Sequence, residues 1–204
     1  MTDASQKIQR LIDKDEIEQV LKLYCRAIDR LDLDLLKTIY HPDAIDDHGS
    51  FNGNAHEFAD FIIKNLKEVL IDGMHTVTHS VIEIDGLFAT SESYYIAVQR
   101  CFGGMEKVAA FFGERYAKTQ QESSAIDKPQ DYFCGGRYLD VFEKRDGKWK
   151  IRHRKITNEW SVIQPSSQIL DEGYVAHFDL PGSRDRHDPV YHLKALAESL
   201  NLKK

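Results

Sequence analysis

The chain has 204 residues, 42% of them hydrophobic and 29% charged, with a formal net charge of −6. At about 150 residues per domain, this length suits one domain with chain to spare, large enough to bury a core without disulfides or a structural metal. The acidic balance excludes a protein that binds nucleic acid or anionic lipid through its bulk charge, and no apolar run approaches the ~20 residues of a membrane span.

From the N-terminus, MTDASQKIQR lacks the hydrophobic stretch of a secretion signal, so a cytoplasmic protein is expected. Ile17, Val20, Leu21, Tyr24, Ile28 and Leu31 then recur at helical spacing, which predicts a helix over 15–31 with Asp13 and Asp15 at its start. A short helix is expected over 33–40, stopped by His41-Pro42, and a third over 56–70 with Phe58, Phe61, Ile62, Leu66 and Leu70 on one face. Beyond Gly73 the pattern turns to strands: 74–84, 88–102, 136–143 and 148–160, with Asp85-Gly86 and Arg145-Asp146-Gly147 as hairpin turns. Residues 105–121 read as one helix interrupting the sheet, either a decoration or else a lid or subunit contact. After Pro165 the chain is polar, contains Pro181-Gly182 and SRDRHD, and ends in a short helix-like run over 190–200. Helices first and antiparallel strands afterwards give an α+β fold. The expected division is a domain over 1–164 carrying the 105–121 insertion and an arm over 165–204, which would pack on the surface or on a neighbouring subunit.

A curved sheet wrapped on helices encloses an apolar cone, so the polar residues facing inward matter most. Asp29 follows apolar Ile28 near the end of the first long helix, and a carboxylate beside a buried stripe needs a partner. Taken alone it fits better in solvent beside Arg30 and Asp32, and His75 in MHTVTH fits as well as a strand-end histidine. Together they have the composition of an Asp-His dyad, in which the carboxylate fixes the tautomer and makes the imidazole a general base. His75 and His79 are four apart, a metal-chelating spacing on a helix but not on a strand, and there is no HExxH, so no metal is expected. On a regular strand His79 would share the wall with His75. Gly103-Gly104 and Gly135-Gly136 read as bends or bulges in the sheet, and Asn158 and Trp160 as residues bordering the mouth of the cone. Cys25, Cys101 and Cys134 read as reduced, buried thiols.

The series YCRAID, HPDAIDDHGSF, MHTVTH and GGRYLDVFEKRDGKWKIRHRK resembles the SnoaL-like branch of the NTF2-like superfamily over roughly residues 8–163. Within it the parallels are scytalone dehydratase, bile-acid 7α-dehydratase and hexachlorocyclohexane dehydrochlorinase. The resemblance implies a cone-shaped fold, a curved antiparallel sheet packed on three helices, and lyase chemistry without a metal or organic cofactor. It places the catalytic pair at Asp29 and His75, a pocket tyrosine at Tyr24, and further pocket groups at His48 and Arg154. There are departures: Ile28 stands where scytalone dehydratase has a second tyrosine, and Ala97 and Val98 stand where the dehydratases carry another acid or base. Arg154 also has a parity problem, because Trp149, Ile151 and His153 share one strand face and Arg154 lies on the other. It faces the cone if a bulge resets the register or the basic face is inner; otherwise His153 does.

The resulting expectation is a cofactor-independent lyase, of dehydratase or retro-aldol type, for a hydrophobic aromatic or polycyclic hydroxylated small molecule. By resemblance it would be a homo-oligomer, in the manner of the trimeric lyases. Two non-catalytic readings compete: a small subunit of a ring-hydroxylating dioxygenase, and a ligand-binding domain with an inert cone.

Overall fold

The structure, a computed structural model, describes residues 3–178 and 182–200. Pro181 and the last four residues of the expected arm therefore lie outside the described residues. The helices α1 (Asp3–Asp29) and α2 (Leu33–Thr38) lead into strands β1 (Tyr40–Asp47) and β2 (Asn52–Asn54), then α3 (Ala55–Val69). Strands β3 (Leu70–Asp85) and β4 (Phe88–Cys101) follow, then α4 (Met105–Phe112) and α5 (Glu114–Glu122). β5 (Gln130–Arg145) and β6 (Lys148–Pro165) complete the sheet, and α6 (Leu193–Ser199) closes the described chain.

The strands form one curved, unclosed sheet in the order β2-β1-β6-β5-β4-β3. Its pairings are antiparallel except for β1, which runs parallel to β6, so the expected antiparallel sheet is in fact mixed. Both hairpins have two-residue loops. In the second, Asp146 and Gly147 both have positive φ, as a type I′ turn demands. In the first the loop is Gly86-Leu87, one residue later than expected, because Asp85 already pairs with Phe88.

The core lies between the concave face and the N-terminal helices. Alternate residues of β4, from Ala89 through Tyr95 and Ala97 to Cys101, are buried against Ile17, Leu21, Tyr24 and Ile28 of α1. Three local readings need correction. α1 begins twelve residues before the expected start, and Asp13 is no cap: it lies mid-helix, buried, taking hydrogen bonds from Lys144 Nζ (2.6 Å) and Trp149 Nε1 (2.9 Å). The expected single helix over 105–121 is broken into α4 and α5 at Gly113, whose φ of 93° no helix continues. Gly103-Gly104 is not a bend within the sheet but the junction between β4 and α4, where a Cβ on Gly103 would lie 2.4 Å from the Asp127 and Lys128 carbonyl oxygens.

The arm packs on its own chain at the end of α1 that carries Asp29. Arg30 holds Asp188 (3.0 Å) and the Ser183 carbonyl (2.7 Å), while Asp32 accepts from Arg186 Nη2 and Tyr191 Oη. Arg184 Nη1 donates to the carbonyls of Leu66 and Leu70, closing the C-terminal end of α3. Among the described residues no helix is long and apolar enough to cross a membrane.

Candidate active site

Asp29 is the last residue of α1, and its apolar neighbours Cys25 and Ile28 point that turn of the helix into the sheet. There it meets the first half of β3. The His75 ring Nδ1 lies 2.7 Å from Asp29 Oδ1, and the backbone N–H of His75 donates to both carboxylate oxygens at 3.0 and 3.1 Å. The pair is nearly closed off from solvent, with 10% of the His75 side chain and 8% of the Asp29 side chain exposed. A carboxylate accepts but does not donate, so a ring proton belongs on Nδ1, and in the neutral ring the lone pair is then on Nε2. Facing that lone pair at 3.3 Å is the amide nitrogen of Gln99, buried on β4. Sequence reasoning missed Gln99, having looked for a polar group on this strand at Ala97 and Val98. The clue available was the alternation of β4, which puts position 99 on the same face as position 97.

A second buried cluster contains Tyr24 and Arg154. The β5–β6 register shifts between Val141 and Phe142, so Arg152 is an extra residue and Arg154 turns inward. Its guanidinium makes two hydrogen bonds with Asp140, Nε–Oδ1 at 2.7 Å and Nη2–Oδ2 at 2.8 Å, and both side chains are fully buried. The guanidinium carbon lies 4.1 Å from the ring centre of Tyr24 and 4.4 Å from that of Tyr138, two rings that meet edge to face, and its Nη1 is buried without a hydrogen-bond partner. Burial holds the Tyr24 hydroxyl far above the usual phenol range, against the pull of Arg154, so Tyr24 is a hydrogen-bonding group and not an acid at neutral pH. Asp46, beside Arg154 in the β1–β6 register, accepts from Tyr40 Oη (2.7 Å) and lies 3.1 Å from His48 Nδ1. His48 stacks on Phe58 and makes no contact with the dyad.

Bulges move three other candidates to the outer face. The register shift between Val77 and His79 makes Thr78 the extra residue, so His79 does not share a wall with His75. It pairs with outward Tyr94 and stacks on that ring at 4.5 Å. His153 is also outside, lining a cleft of about 520 Å³ with Val81, Glu92, Val141 and Lys155. A third shift, opposite Gly135-Gly136, makes Glu159 the extra residue and leaves Trp160 outside, packed over Gly135. The glycine pair therefore does mark a bulge, as its sequence suggests: a Cβ on Gly136 would lie 1.9 Å from the Thr157 carbonyl oxygen. Asn158 keeps the inward register and its amide reaches the Tyr132 hydroxyl at 3.3 Å, but it is exposed at the rim. All three cysteines are buried and free, and burial raises each thiol, Cys25 to about 11 and Cys101 to about 12.

The SnoaL-like domain family matches residues 9–155. The chain belongs to this family. No curated protein sequence matches it. Among solved structures it is similar to a protein provisionally named a scytalone dehydratase from Novosphingobium aromaticivorans, at 16% identity over 76% of this chain and 90% of the other, with a TM-score of 0.60. It is likewise similar to the type 2 hexachlorocyclohexane dehydrochlorinase LinA, at 17% identity over 86% and 99% with a TM-score of 0.60. The type 3 enzyme from Novosphingobium barchaimii matches at 17% identity over the same shares, with a TM-score of 0.59. At these identities the likeness shows the fold, and this SnoaL-like chain shares it with a dehydrochlorinase and a dehydratase-named protein.

Proposed function

We propose that this SnoaL-like protein is a cofactor-independent lyase acting on a hydrophobic, hydroxylated aromatic or polycyclic small molecule. The observation that carries the reading is the Asp29–His75 contact at 2.7 Å, reinforced by the His75 backbone N–H, in a site almost free of solvent. His75 Nε2 takes a proton from the substrate, Asp29 stabilises the imidazolium that forms, and the leaving group departs from the neighbouring position. The free Nη1 of Arg154 and the Tyr24 hydroxyl are assigned to steadying negative charge that develops in the cone. General-base catalysis supplies on the order of 10²–10⁴-fold, and orientation of the bound substrate supplies the rest. Elimination of water and retro-aldol release of an aldehyde both begin with this proton transfer.

The test is turnover of a panel of hydroxylated aromatic and polycyclic compounds by wild-type protein and His75→Ala. The expected result is at least one substrate consumed by wild type and lost with the variant. Equal turnover by both would sink the lyase reading and favour an inert binding domain.

We also propose that the protein self-associates as a trimer through the outer sheet face. Met74, Ile96, Trp160 and Val162 stand exposed there in adjoining cross-strand rows. Light scattering after gel filtration should return three times the chain mass; a monomer would refute it.

A further inference from the structure

Gln99 is a buried polar residue that the proposed mechanism does not use, and its position is built by its neighbours. Its partner across the β3–β4 ladder is Gly73, which has no side chain, and a Cβ there would come within 3.6 Å of Gln99 Cγ. The long amide side chain lies over this gap and reaches diagonally to His75, two residues along β3. Nδ1–H already donates to Asp29, so in the neutral ring the only complement to a Gln99 N–H is the lone pair of Nε2. On the other flank, Gln99 faces Tyr132 of β5, whose ring packs against Phe111 and Phe112 of the insertion helix.

We propose that Gln99 is a positioning residue: its amide occupies the lone pair of His75 in the resting protein and is the group a substrate displaces to reach the base. The inference rests on the reading of His75 as the base. The ring is held at both nitrogens, by an acceptor at Nδ1 and a donor at Nε2, which fixes its plane and tautomer before substrate arrives. On binding, the Gln99 N–H···Nε2 hydrogen bond breaks, the substrate proton takes its place, and the amide is freed to turn toward the substrate. No atom of Gln99 is transferred.

The experiment uses the full-length protein without substrate and diethyl pyrocarbonate, which acylates unprotonated imidazole nitrogen. The rate at each histidine is read by peptide mass spectrometry. Gln99→Met keeps the length of the side chain and removes the donor. It is expected to raise the His75 rate about fivefold, the worth of one neutral hydrogen bond, while outward His79 is unchanged. Gln99→Glu, which presents an acceptor in place of the donor, should draw a proton onto Nε2 and slow the reaction. Nitrogen NMR of the His75 ring gives a second readout that does not depend on reagent access, and thermal unfolding checks that each variant is folded. An Nε2 resonance that moves in Gln99→Met together with a faster His75 rate supports the proposal. An unmoved resonance, or a His75 rate in Gln99→Met no faster than wild type, overturns it. Both readouts stand apart from the turnover test: loss of the lyase reading would leave the hydrogen bond intact, and loss of the hydrogen bond would leave His75 a base without this gate.

Discussion

Replacing Arg154 by methionine separates the structural weight of this residue from its proposed role with substrate. The guanidinium and the Asp140 carboxylate have no exposed surface and share two hydrogen bonds, so removing one partner strands a buried charge. Such a break costs about 3–5 kcal/mol, and loss of the stacking on Tyr24 and Tyr138 adds to it, against a total stability of roughly 5–15 kcal/mol. Asp140 limits the loss: burial already pushes its carboxyl above the usual range despite Arg154, so without the arginine it takes up a proton. The expectation is a loss of about 4 kcal/mol for Arg154→Met in urea unfolding, with most of it recovered by Arg154→Met combined with Asp140→Leu. A loss below about 1 kcal/mol for the single change, or a double variant no more stable than the single one, would refute the buried-pair argument. If the double variant folds and still turns over substrate at the wild-type rate, the charge-steadying role falls while the structural one stands.

Three further predictions concern separate parts of the molecule. Asp29→Asn keeps the shape but loses the charge that stabilises the imidazolium, so kcat should fall on the order of 10²–10⁴-fold with little change in melting temperature; a fall under threefold would exclude the dyad. Burial raises the Asp13 carboxyl, but its hydrogen bonds from Lys144 and Trp149 outweigh this and leave it below the usual range. Because the folded value is the lower one, the contribution is present above the unfolded pKa and is lost as pH falls through the folded value. Asp13→Asn should therefore flatten the acid limb of the stability curve below about pH 4, and an unchanged limb in a pH series of urea melts would contradict it. Gly136→Ala must displace the Thr157 carbonyl, which the added Cβ would approach to 1.9 Å, and should cost about 3 kcal/mol in urea unfolding; a neutral result would mean that the strand shifts freely.

How much was legible in the sequence depends on the range of the interactions involved. The apolar stripe from Ile17 to Ile28 marks the buried face of α1, but the start of that helix is hidden. Asp13 and Asp15 look like a local N-terminus, and only the distant Lys144 and Trp149 explain why Asp13 sits mid-helix. His41-Pro42 reads as a stop signal for a helix reaching Tyr40, but α2 already ends at Thr38 and Pro42 sits within β1, tolerated where the register with β6 is irregular between Tyr40 and Ile45. The Asp29–His75 pair was suggested by family resemblance and residue type, and its contact distance came from the packing of α1 on β3. Gln99 had no motif to announce it, because its importance lies in a diagonal contact with a residue of the neighbouring strand.

The sequence by itself determined the α+β class, the presence of the two hairpins to within a residue, the buried stripe of α1 and the burial of the cysteines, because each follows from periodicity or turn chemistry within a few residues. Which side chains face the cone was decided by tertiary structure. Side chains alternate along a strand with a period of two, so each single-residue bulge inverts every later assignment. The bulges at Thr78 and Glu159 send His79 and Trp160 outward, and the one at Arg152 brings Arg154 in. Those insertions are fixed by pairing with strands many residues away, and only the one opposite Gly135-Gly136 has a local mark in the chain.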